Sequence, residues 1–191
     1  MDMRKGLAMQ EILDAAAELA EEKGLENVSL LQIAEKLGIK SPSLYNHLSG
    51  LKELSTAMAK MALDRLECAI RNAAVGRSKE TALMAMAFAY RRFAMENPEL
   101  YKTILRFPTY QDSEIQEAGH AVVRVLYQVM EPYHYDKERT LYFVRGFRSA
   151  LHGFVSLEGA GFFQNTEADV DRSFERLVAA MLSTLNIREE D

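Results

Sequence analysis

The stretch from Ser29 to Lys52, SLLQIAEKLGIKSPSLYNHLSGLK, leaves this chain little freedom, because its start and stop signals are spaced for short helices and one tight turn. Ser29 is followed three residues later by Gln32, a capping box in which hydroxyl and amide satisfy two free backbone N–H groups. A helix therefore starts here. Val28 before the cap and Ile33 within the helix are placed to form a hydrophobic staple. Leu30, Ile33, Ala34 and Leu37 make one apolar face, and Gly38 follows where a left-handed residue ends a helix. Ser41-Pro42 restarts the backbone, since proline is tolerated at a first helical position and the residue before it is not helical. A second helix is predicted from Pro42 to about Leu48. Two helices joined by a turn of about three or four residues containing glycine define a helix-turn-helix, whose second helix enters the DNA major groove. An ordinary helical corner has the same backbone pattern, so the side chains must distinguish the two.

The chain has 191 residues, a net charge of -5 and 48% hydrophobic residues, the profile of a soluble globular protein of one domain or two small ones with a core of its own. An acidic total excludes a nucleic-acid coat but not a local footprint. Between Gly38 and Lys60, three lysines (Lys40, Lys52, Lys60) face one acid, Glu53. The single cysteine, Cys68, rules out an internal disulfide and suits a reducing cytoplasm. In its Leu-Glu-Cys-Ala-Ile setting it reads as core rather than nucleophile. Apolar runs such as Ala82 to Tyr90 are too short to span a bilayer and no signal-peptide core is evident, so a cytoplasmic protein without a membrane partner is expected.

Taken in order, Gln10 to Lys23 is an amphipathic helix closed by Gly24 and preceded by a basic arm, Met3-Arg4-Lys5, that suits either phosphate contact or a frayed terminus. After the capped pair, a long helix runs from Leu51 toward Gly76. Further helices are predicted from Ser78 to about Glu96, from Pro98 to near Arg106, from about Ser113 to Met130, and from Lys137 to about Glu158. Asn165-Thr166-Glu167 caps a last one. The fold class is thus all-α with about nine helices. The chain is expected to divide into a helix-turn-helix head over 1–54, a linking helix about 51–75, and a C-terminal helical domain over 76–191.

Tyr45, Asn46 and His47, with Lys52 beside them, offer a hydroxyl, an imidazole and an ammonium suited to clamping phosphates, and packing residues are the plainer reading of Tyr45 and His47. Base reading falls to Lys40, Ser41, Ser43 and Asn46, because lysine reaches guanine, asparagine pairs with adenine and serine is permissive. Leu44 and Leu48 are expected to face inward. The middle helices carry Met84, Phe88, Tyr101, Leu105, Phe107, Tyr127 and Phe147, an adaptable core or the lining of an apolar ligand pocket, and His152 is a core histidine or the pocket's polar group. Glu117-x-x-His120 and Glu131-x-x-His134 match the spacing of di-iron bundles, but they are 14 residues apart with Pro132 inside the second, so no metal and no cofactor are expected. Phe154, Phe174, Leu177, Val178, Met181 and Leu182 on the last two helices are expected to form a homodimer interface, a four-helix bundle about a two-fold axis; burial within the monomer is the other reading.

The stretch from Gln10 to Leu54 resembles the DNA-binding domain of TetR-type transcriptional regulators. It has the Ile-Leu-x-Ala-Ala helix, Gly24 before Val-Ser, Ile33-Ala34-x-x-Leu37-Gly38-Ile39, Ser43-Leu44-Tyr45-x-His47-Leu48, and Lys52-x-Leu54. The resemblance implies an all-α homodimer of nine-helix protomers whose C-terminal domain takes a ligand. It places phosphate contacts at Ser29, Tyr45, His47 and Lys52, and base contacts from Lys40 through Ser41, Pro42 and Ser43 and at Asn46. Leu48 stands where the family more often has phenylalanine, and Pro42 where it often has glycine or alanine. Leu151-His152-Gly153 looks like the Trp-His-Gly type of C-terminal domain. The expected function is a non-enzymatic repressor released from palindromic double-stranded DNA by a small-molecule effector. A helical small-molecule carrier or enzyme is the alternative, although no catalytic pair is in view.

Overall fold

The computed structural model describes residues 8–106, 112–164 and 168–186, and all regular structure among them is helical. The α-helices are α1 (Met9–Lys23), α2 (Leu30–Lys36), α3 (Leu51–Ala74), α4 (Lys79–Glu96), α5 (Pro98–Leu105), α6 (Ser113–Met130), α7 (Lys137–Gly159) and α8 (Val170–Ser183). A 3-10 helix at Ser41–Asn46, the recognition segment, stands between α2 and α3 and brings the main helices to nine among the described residues. The basic arm at Met3-Arg4-Lys5 and the predicted cap at Asn165-Thr166-Glu167 lie outside the described residues. Asp169 caps α8, its carboxylate accepting from the Asp171 and Arg172 amides at 2.9 and 3.3 Å.

Two compact units emerge, and they are not sequential. One comprises Met1–Arg65 with Asn97–Gly119, the other Leu66–Glu96 with His120–Asp191. The first unit thus gathers α5, which the division at residue 76 assigned to the C-terminal domain. Its core closes around Ile12, Ala16, Ile33 and Leu44, with Leu48, Leu54, Met58 and Leu100 packed beside them. Each fully buried leucine or isoleucine there contributes about 1.5–3 kcal/mol. Polar contacts tie α5 to α1: the Glu21 carboxylate accepts from the Glu99 and Leu100 amides at 3.1 Å, and Glu99 accepts from the Leu25 amide at 2.9 Å. These carboxylates satisfy amides that helix starts leave free. Burial pushes the Glu99 carboxyl up, but Lys102 and the Leu25 amide outweigh it and leave it below the ordinary value.

The second unit is built on Phe147 and Phe174, both fully buried, with Leu83 and Met86. Arg91, also buried, donates from Nε and Nη2 to the two Glu158 oxygens at 2.7 and 2.6 Å, and from Nη2 to Asp171 at 2.7 Å. Its guanidinium lies 5.0 Å from the Phe174 ring centroid and 5.8 Å from that of Phe154. One arginine therefore joins α4, α7 and α8, and its hydrogen bonds to Glu158 chiefly hold its pKa above the ordinary arginine range.

The last helices divide the residues expected at the interface by their burial within the protomer. Phe174, Val178 and Leu182 repeat every four residues along α8 and are covered within the protomer. Leu177, Met181 and Phe154 are half-buried, and Met181 lies over Gly146, where an added Cβ would meet its Cε at 3.4 Å.

Arg91→Met removes one partner of a buried pair and leaves the Glu158 charge uncompensated. Urea titration at neutral pH is expected to show a loss of about 3–5 kcal/mol. Asp171→Ala, whose side chain is 81% exposed, is expected to lose less than about 1 kcal/mol.

Candidate nucleic-acid interface

The local chemistry of α2 fixes where the recognition segment begins. Ser29 Oγ accepts from the Gln32 amide at 3.3 Å, while Gln32 Oε1 accepts from the Ser29 amide at 2.9 Å, completing the capping box. At the other end the Gly38 amide donates to Glu35 O at 3.1 Å and the Ile39 amide to Ala34 O at 3.0 Å. This is a Schellman motif, and Gly38 supplies its left-handed residue with φ of 64°. Val28 and Ile39 both pack on the core that holds Ile33.

The segment after the turn is shorter and tighter than predicted. It is a 3-10 helix from Ser41 to Asn46 rather than an α-helix reaching Leu48, with Pro42 in its first turn. Proline has no N–H, and a piece this short gains its hydrogen bonds sooner by three-residue steps. The Ser43 amide donates to Lys40 O and the His47 amide to Leu44 O, each at 2.9 Å. Leu44 and Leu48 are buried in the core as expected, at 0% and 2% exposure. That anchorage decides what faces outward. Tyr45 is 59% exposed, and Lys40, Pro42, Asn46 and Lys52 are exposed as well, while Ser29, Ser41, Ser43 and His47 are half-buried. Tyr45 is therefore not a packing residue.

Neighbouring charges sort themselves by partner. Lys36 Nζ lies 3.0 Å from Glu18 and 3.4 Å from Glu22, with its pKa raised chiefly by the Glu18 hydrogen bond, so α1 occupies this cation. Glu53 turns back to accept from the Ser49 hydroxyl at 2.6 Å and the Ser49 amide at 2.7 Å, which holds its carboxyl below the ordinary value. The acid closes the start of α3, and Lys52 carries no ion pair among the described residues. Two exposed leucines, Leu31 at 59% and Leu51 at 53%, flank the same stretch and had drawn no role from the sequence.

The candidate ligand residues are distributed over both units. Met84, Phe88, Tyr127, Phe147 and His152 belong to the second, Tyr101 and Leu105 sit on α5 in the first, and Phe107 lies outside the described residues. Phe147 is fully buried, whereas Phe88 is 39% exposed and sets its edge on Phe174 with centroids 5.4 Å apart. His152 Nδ1 lies 3.1 Å from the Tyr90 hydroxyl, and burial, then the charge of Arg148, lowers its pKa. Among the described residues no three His, Cys, Asp or Glu side chains come together to hold a metal ion.

A capped helix, a glycine turn and a short exposed segment clamped by buried leucines define a helix-turn-helix protein. Two family models match in tandem, that for bacterial regulatory proteins of the tetR family over residues 12–57 and that for the tetracyclin repressor-like C-terminal domain over 83–181. The HTH-type transcriptional regulator YobS of Bacillus subtilis, itself uncharacterized, is 32% identical over 100% of this chain and 99% of its own length. The chain belongs to the TetR family of transcriptional regulators, which are not enzymes. A Rhodococcus sp. RHA1 protein of unknown function shares the fold with a TM-score of 0.77 at 23% identity, over 97% of this chain and 96% of that one. A TetR variant from Acinetobacter baumannii AYE, solved with minocycline, shares it with a TM-score of 0.68 at 18% identity, over 93% and 96%. No helix among the described residues is long and apolar enough to cross a membrane.

Gly38→Ala adds a Cβ that meets nothing within 4 Å, so its effect is conformational alone. Denaturant titration is expected to show a loss of about 1–2 kcal/mol from the left-handed backbone, and less for Gly38→Asn.

Proposed function

We propose that this chain is a ligand-responsive repressor that binds palindromic double-stranded DNA as a homodimer and leaves it when a small molecule binds. The observation that carries the DNA reading is the burial of Leu44 and Leu48, which leaves Tyr45 and Asn46 facing solvent, with Lys52 exposed at the start of α3. In this reading Ser29, Tyr45, His47 and Lys52 hold phosphates, which sets register, while Lys40, Ser41, Pro42, Ser43 and Asn46 meet base edges. Two such segments must lie roughly 34–36 Å apart to enter successive major grooves, and only a dimer supplies two. Dimerisation then uses the outward faces of α7 and α8, where Ser149, Gly153, Ala179 and Ala180 are exposed and small enough for close helix approach, rather than the buried Phe174, Val178 and Leu182.

Release follows from differential affinity. An effector that prefers a protomer shape with the wrong spacing shifts the population off DNA by a coupling of about 1–3 kcal/mol. The minocycline-bound relative supports a small molecule as the effector class. His152 and Tyr90 supply a polar pair among the apolar side chains of the second unit. A carrier with an incidental helical corner would show no salt-dependent duplex binding.

Fluorescence anisotropy on a duplex selected by the protein from a random library tests the assignment. Lys52→Ala is expected to weaken binding to specific and unrelated duplexes alike and to reduce the salt slope by about 1; Asn46→Ala is expected to cost about 1–3 kcal/mol on the selected duplex and relax preference at one position. An unchanged salt slope in Lys52→Ala would remove the phosphate role.

A further inference from the structure

The exposed leucines beside the recognition segment are at odds with a surface that meets only water. In the first unit, the large apolar side chains more than a third exposed are Leu31 at 59%, Tyr45 at 59%, Leu51 at 53% and Leu105 at 42%, among the described residues. Three of those four fall between Ser29 and Lys52. A single exposed leucine needs no explanation, but apolar side chains gathered on a binding element mark contact surface.

Each leucine also has a position. Leu31 sits in the first turn of α2, two residues past the Ser29 cap, and two positions along a helix is about half a turn from Ile33 on the buried face. Leu51 is the first residue of α3, three residues ahead of buried Leu54 and next to Lys52, and is itself 53% exposed. Both therefore adjoin residues carried over as phosphate contacts, one on each side of the segment Ser41–Asn46.

We propose that Leu31 and Leu51 are DNA contacts in their own right, an apolar pair that docks on deoxyribose edges and thymine methyl groups to either side of the recognition segment. DNA is the occupant because the two leucines adjoin in sequence Ser29 and Lys52, the residues proposed to hold phosphates, and bracket the exposed Tyr45; thymine C5-methyls are the apolar groups the major groove displays. The contact adds affinity without neutralising phosphate, so it is independent of salt. It supplements the few cations here: Lys40 and Lys52 are the exposed lysines of this stretch once α1 has taken Lys36. This inference rests on the DNA-binding reading above.

The probe is the duplex that wild-type protein recovers from a random library, titrated with the full-length chain by anisotropy over a range of salt. Leu31→Ala and Leu51→Ala are expected to bind about three- to tenfold more weakly with an unchanged salt slope and an unchanged melting temperature, because neither side chain supports the core. Replacing thymine by deoxyuracil in the probe assigns the contact: an equal loss for wild type, absent in the variants, marks thymine methyls, and no loss marks deoxyribose. Wild-type affinity in both variants, or a change in their salt slope, overturns the proposal. So does a weakened dimer in sedimentation with unchanged binding by the assembled dimer, which would make the leucines a protein contact. Failure of the wild-type chain to bind any duplex would instead sink the regulator reading itself.

Discussion

The burial of Leu44 and Leu48 against Ile12, Ala16 and Ile33 is the constraint on which the DNA-binding head depends. A six-residue 3-10 helix has no stability of its own, since so short a segment cannot repay its nucleation. Two leucines four residues apart hold it from beneath. Because they occupy its inner side, the intervening Tyr45 and Asn46 must point outward. Function in this head is thus a by-product of packing: the core chooses the face, and the face carries the chemistry. Capping does the rest, for Ser29 and Gly38 set the length of α2 and hence where the segment starts.

Contacts remote in sequence reinforce the same arrangement. Glu21 and Glu99 exchange caps between α1 and the chain at α5, and Leu100 joins the head's core, so a helix about 50 residues downstream of the recognition segment belongs to the DNA-binding unit. In the other unit Arg91 plays a comparable role, drawing Glu158 and Asp171 onto one guanidinium beneath two phenylalanine rings. Of these charged groups only Arg91 is buried, and its partners satisfy it in the way that makes a buried charge tolerable.

Local signals were legible in the sequence and distant ones were not. The Ser29–Gln32 box, the Gly38 stop, the inward leucines and the bounds of α5 and α6 all follow from residues a few positions apart, and the fold obeys them. The 3-10 form of the recognition segment was missed because Pro42 signals a helix start without saying which helix. The stripe of Phe174, Val178 and Leu182 read as an interface because an apolar face does not reveal whether a partner or its own protomer covers it. Arg91 and Glu21 gave no sequence signal, since their partners lie 67 to 80 residues away.

Hydroxyl-radical footprinting of the full-length chain on its selected duplex tests the central claim most directly. Two protected patches on one face of the helix, centred about 10–10.5 base pairs or a multiple of that apart, are the predicted result for paired recognition segments. A single patch, or protection without helical phase, would contradict a dimeric head that reads DNA through Ser41–Asn46.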